Sequence, residues 1–102
     1  MDYLPDVRKY SPNANEAAVA AIVKYCGIAL QKRDSAMVST TDPKEMETVK
    51  QGFATKKLGL SPEQADAGIK AVIEKLKGDR TKSRVTFYYL LAEQTGTLDK
   101  LA

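Results

Sequence analysis

Between Arg84 and Glu93 the run Arg-Val-Thr-Phe-Tyr-Tyr-Leu-Leu-Ala-Glu holds seven apolar or aromatic residues in ten, and wound as a helix it has no polar face. A helix that is apolar all round has to be buried, because none of its sides suits water. The pattern therefore predicts a central helix against which the others lay one apolar stripe each. Val85, Thr86, Phe87, Tyr88 and Tyr89 are also strand-favouring types, and a short apolar run does not separate helix from strand by periodicity. Two features favour helix. Leu90-Leu91-Ala92-Glu93-Gln94 are good helix formers, and Gly96 follows as the expected stop. No second convincing strand exists to pair with this one, and a lone strand leaves its backbone unsatisfied.

The stripes appear upstream. Val19, Ile22, Val23 and Cys26 recur at i, i+3, i+4 and i+7, predicting a helix from Asn13 to about Gly27, with a short continuation to Leu30 allowed. Asn13 as cap and Glu16 three residues on make a capping box with Asn in place of Ser. A second helix opens with Asp42 as cap, Pro43 at its first position and Glu45 closing a box, and carries Met46, Val49 and Phe53. Leu58-Gly59-Leu60 ends it, glycine taking the left-handed position and Leu60 folding back. A third helix follows from Ser61, Pro62 and Gln64 by the same rules, its stripe being Ala65, Ile69, Val72, Ile73 and Leu76, with Gly78 marking the end.

The remaining segments are less regular. Residues 1–12 read as an arm, extended before Pro5 and Pro12, allowed one helical turn near 5–9, and pinned to the body by Tyr3, Leu4, Val7 and Tyr10. Residues 31–42 are rich in Ser, Thr and Asp, which favour turns, with Met37 and Val38 expected to anchor them. Asp79 to Ser83 is a polar link in which Asp79, Thr81 or Ser83 caps the last helix, and Leu98 and Leu101 are expected to dock the tail. The sum is one all-α domain over residues 1–102, a small four- to five-helix bundle built around its C-terminal helix.

Composition narrows the class. A chain of 102 residues with 43% apolar and 28% charged side chains is ordinary for one soluble globular domain. The longest apolar run, Phe87 to Ala92, is too short to span a bilayer. No secretory signal or myristoylation site opens the chain, and Cys26 as sole cysteine suits a reducing compartment. The expected location is cytoplasmic. The net charge of +3 lies wholly in residues 52–102, concentrated in Lys75, Lys77, Arg80, Lys82 and Arg84.

Candidate chemistry is sparse. With no histidine, the commonest general base and metal ligand are missing. Cys26 lies on an apolar stripe, where a buried thiol is a small hydrophobe rather than a nucleophile. A zinc site needs more Cys or His than the chain owns. Asp42, Glu45 and Glu47 form no convergent set, since capping accounts for the first two. No metal, cofactor or catalytic residue is assigned, and the expectation is a non-enzymatic protein.

Asp2-Tyr3-Leu4-Pro5-Asp6-Val7, Lys56-Lys57-Leu58-Gly59-Leu60 and the Arg84–Glu93 run together resemble a family of small bacterial proteins known as domain of unknown function 2853. The resemblance covers the whole chain. It implies a stand-alone bacterial domain and brings no activity, cofactor or site residue with it.

Two ways of binding stay open. Gly78 to Arg84 places hydroxyls and cations at a helix start, so Lys75, Lys77, Arg80, Lys82 and Arg84 are candidates for holding phosphate or nucleic acid; the alternative is a solvated turn. A helix-turn-helix reading of the second and third helices is disfavoured, because the latter opens acidic at Glu63 and Asp66. The other way is protein contact. Five tyrosines are many for this length, and the ring suits core edges and interfaces alike. Tyr3, Tyr10, Tyr88 and Tyr89 are the candidate interface residues, and a homodimer would form through any side of Val85–Ala92 that so short a bundle leaves open. A protein-interaction module is the leading expectation.

Overall fold

The run from Arg84 to Gln94 is a helix, and every residue from Val85 to Ala92 is buried. In the computed structural model, which describes residues 3–27, 37–38, 42–78 and 83–101, it is the fifth helix in chain order. The others are α1 (Leu4–Arg8), α2 (Glu16–Cys26), α3 (Pro43–Thr48), which continues as a π-helical segment (Val49–Lys57), and α4 (Pro62–Lys75). A 3-10 turn, Leu98–Lys100, closes the chain behind α5. α5 packs against α1, α2, α4, the π segment and the 3-10 turn. The all-α architecture built around the C-terminal helix is thus the observed one, with no strand among the described residues beyond an isolated bridge between Met37 and Ser83.

α2 buries Ala18, Val19 and Ile22, and half-buries Val23 and Cys26, as its stripe requires. Its start differs from expectation. The cap is Asn15, whose side chain accepts from the amides of Ala17 and Ala18, and not Asn13. A contact that local sequence does not contain decides this: the Asn15 amide donates to the Tyr89 hydroxyl on α5 at 2.9 Å, while Ala14 turns into the core. Glu16, freed from a capping box, pairs with Arg8 of the arm at 3.2 Å.

Asp42 caps α3 by accepting from the Lys44 amide, with Pro43 at the first position. Glu45 does not close a box; its carboxylate is taken by Arg84 of α5. From Val49 the helix widens to π winding, an uncommon form at this length. The buried positions Val49, Phe53, Ala54 and Leu58 recur at four to five residues, wider than the α-helical 3.6, so the wider turn keeps one face on the core. Gly59 then reverses the chain at φ +71°, and the Leu60 amide bonds the Ala54 carbonyl at 3.0 Å. In α4 the Ser61–Gln64 capping box is complete in both directions.

One close approach was not visible in the stripe pattern. Gly68 on α4 faces α5 so tightly that a Cβ there would lie 2.8 Å from both Leu91 Cδ1 and Thr95 Cγ2. α5 ends as the sequence predicts: the Gly96 amide bonds Glu93 and the Thr97 amide bonds Ala92, a Schellman pair around a glycine at φ +69°. Ser83 stands at the cap position of α5, yet its hydroxyl makes no bond to the helix. Leu101 is buried and Leu98 packs against the core. Val38 is buried; Met37 keeps 38% of its surface exposed, and its backbone, rather than a buried side chain, ties the segment to Ser83. Residues 31–36 and 39–41 of the expected turn region, the continuation to Leu30, and Asp79 and Thr81 lie outside the described residues.

Candidate interaction surface

Of the five basic residues singled out from sequence, Arg84 points inward. Its guanidinium donates to Glu45 of α3 and, at 3.0 Å, to the Tyr88 hydroxyl one turn along α5. Burial by itself would lower the Arg84 pKa, but the hydrogen bonds and charges of Tyr88 and Glu45 hold it above its ordinary value. Burial pushes the Tyr88 phenol up, with the Arg84 charge acting against it. Lys75 lies 3.9 Å from Glu93, which also accepts from Ser11 at 2.6 Å. Lys77 is exposed just past α4, and Arg80 and Lys82 lie outside the described residues. The structure therefore brings no cluster of free cations together from Lys75, Lys77 and Arg84.

The tyrosines divide in a similar way. Tyr89 is fully buried, its hydroxyl accepting from Asn15, and Tyr88 is buried beside Phe53. Neither offers a surface to a partner. Tyr3 and Tyr10 are half-buried against the core.

Tyr25 is the exception. It sits in the last turn of α2, off the stripe formed by Val19, Ile22, Val23 and Cys26, and keeps 44% of its surface exposed. Its ring is 5.4 Å from Phe53 of the π segment and 6.3 Å from Tyr88 of α5, tilted at 55° to each. Phe53 and Tyr88 stack beneath it at 4.1 Å. The Lys57 ammonium, from the end of the π segment, lies 5.8 Å from the Tyr25 ring centroid, within cation–π range. Three elements thus converge: α2 supplies the ring, α5 its floor, and the π winding delivers both Phe53 and Lys57 to one side. The signal in the sequence was a large aromatic off the helical stripe, which the stripe search passed over.

The model of a family described as a protein of unknown function (DUF2853) matches residues 2–99. The chain belongs to that family. No curated protein matches it.

In this DUF2853 chain the free cysteine, Cys26, is half-buried at the end of α2. Burial pushes the Cys26 thiol up to about 11, the Arg84 charge pulling weakly the other way, so at neutral pH it is protonated and a poor nucleophile. Among the described residues no three His, Cys, Asp or Glu side chains converge as metal ligands, and no helix is long and apolar enough to cross a membrane. A cleft of about 230 Å³ opens between α4 and the end of α5, lined by Leu60, Gln64, Ala67, Gly68, Gln94 and Thr95. Gln64 is held by the Ser61 cap, and the Thr95 hydroxyl donates to the Leu91 carbonyl, so these two polar groups already have partners.

Proposed function

We propose that this protein is a non-enzymatic binding module of the cytoplasm that works by protein contact through the surface around Tyr25. The observation that carries the reading is the contrast in commitment. Tyr88, Tyr89, Arg84 and Lys75 are occupied within the chain, whereas Tyr25 and Met37 are the large apolar side chains left exposed among the described residues. Both belong to the region near the start of α5: Met37 bridges Ser83, and Tyr25 lies over Tyr88. An exposed aromatic on a rigid aromatic floor is the type of group that anchors protein interfaces.

Self-association through α5 has lost its support, because one chain buries all of Val85–Ala92. Within this proposal a homodimer uses the Tyr25 surface. The phosphate or nucleic-acid reading through Lys75, Lys77, Arg80, Lys82 and Arg84 is weakened by the ion pairs of Lys75 and Arg84.

The test is affinity capture from the native host with the full chain, run beside Tyr25→Ala. The expected result is a partner retained by the wild type and lost from the variant, with sedimentation of the purified chain as an 11.2 kDa monomer. Identical retention by both proteins would sink this reading, and a dimer lost in Tyr25→Ala would redirect it to self-association.

A further inference from the structure

We propose that the corner formed by Tyr25 and Lys57 seats a carboxylate from an acidic segment of a partner protein, with an adjacent apolar side chain resting on the exposed edge of the Tyr25 ring; this rests on the interaction reading above. Phe53 and Tyr88 close the inner side of the ring, and the Lys57 ammonium lies over it at 5.8 Å. Tyr25 keeps 44% of its surface open, and Lys57 is exposed beside it. Neither the Tyr25 hydroxyl nor Lys57 makes a hydrogen bond or ion pair among the described residues. A phenol and an ammonium both donate, and a carboxylate accepts from such donors with the assistance of charge. Lys24 and Lys56, neighbours in sequence of Tyr25 and Lys57, are exposed as well.

Five other cations of the chain differ on this point. Arg84, Lys75, Lys50, Arg8 and Lys9 each already face a carboxylate of the protein itself. Lys57 faces a ring, which holds it in place without neutralising it. A nucleic acid suits the corner less well. Base stacking needs an open aromatic face, and here one side of the ring meets Phe53 and Tyr88 while Lys57 lies over it.

The probe is a short fluorescein-labelled peptide rich in glutamate with a single leucine, titrated into the full chain and followed by anisotropy. Saturable binding is expected, with Tyr25→Ala and Lys57→Ala each weakening it at least about tenfold, as fits the loss of a charge-assisted contact. Lys57 is exposed, so that variant keeps the wild-type melt and separates lost binding from lost folding. The glutamine version of the peptide should not compete, and added salt should weaken the complex. No binding, affinities untouched by both substitutions, or equal competition by the glutamine peptide would overturn the proposal. So would a thymidine oligonucleotide that binds more tightly and depends on the same two side chains. Should the peptide fail while host capture still depends on Tyr25, the interaction reading stands and the carboxylate assignment falls.

Discussion

The α3–α4 hairpin and the N-terminal arm are both fastened to the molecule, but by opposite means. In the hairpin, besides its packing on α5 and the Glu45–Arg84 pair, the fastenings are local: Asp42 bonds Lys44, Ser61 and Gln64 cap each other, and Gly59 supplies the one backbone conformation the reversal needs. In the arm they reach across the chain. The Thr86 hydroxyl donates to Asp6 and Ser11 donates to Glu93, over separations of 80 and 82 residues, and just past the arm the Asn15 amide donates to Tyr89, 74 residues away. Val7, buried completely, supplies the apolar part of the arm's contact. Both regions rest on α5, but the hairpin adds caps that survive as long as its own helices do, whereas the arm, apart from the Arg8–Glu16 pair, is held through α5. The arm should therefore be the first region to open and the hairpin among the last.

The largest effect is expected where both regions depend on the same helix. Leu91→Ala should lower stability by about 2–5 kcal/mol through a core cavity, and a melt indistinguishable from wild type would contradict the burial of α5. Thr86→Val should come next, at about 1–2 kcal/mol, since it removes the buried hydroxyl that donates to Asp6 and leaves that carboxylate only its Lys9 partner. Its amide exchange should quicken over residues 3–10 while the hairpin stays protected; uniform quickening would erase the distinction between the two regions.

Ser61→Ala and Gly59→Ala are the reverse experiment. The first removes a capping box, and the second forces a Cβ into φ +71° where nothing lies within 4 Å, so only backbone strain opposes it. Each should lower stability by about 1 kcal/mol and quicken exchange in the hairpin while leaving the arm unaffected. The smallest effect concerns Cys26, at the far end of α2. With its thiol held near 11, alkylation at pH 8 should run roughly a hundredfold slower than for an ordinary cysteine, and a rate matching free cysteine would mean the thiol is not buried. A pKa raised on folding stabilises below the unfolded value and less above it, so stability should fall as pH climbs from about 9 to about 11. Tyr88, raised by burial, acts in the same direction.

The candidate site was harder to read than the fold. The aromatic run, the Gly59 and Gly96 stops and the Ser61–Gln64 box were all legible, because each depends on neighbours within a few residues. Tyr88 and Tyr89 looked like interface groups because tyrosine suits both settings, and only their neighbours, Arg84 and Asn15, show that they serve the core. Arg84 looked like a free cation until Glu45, 39 residues away, was brought to it. Tyr25 carried a faint signal, an aromatic off its helix's stripe, which acquires meaning only beside Phe53 and Lys57 of the π segment.

The sequence by itself determined that this chain is helical, where most of its helices stop, and that the aromatic run near its end lies inside the others. Those are consequences of periodicity and of backbone groups that must be bonded close by. Only the tertiary structure decided that α2 starts at Asn15, that α3 widens into a π segment, that Gly68 lets two helices approach, and which charged or aromatic groups are left for a partner. The physical reason is the same in each case: a hydrogen bond, an ion pair or a ring contact between residues far apart has no local trace until the chain has brought them together.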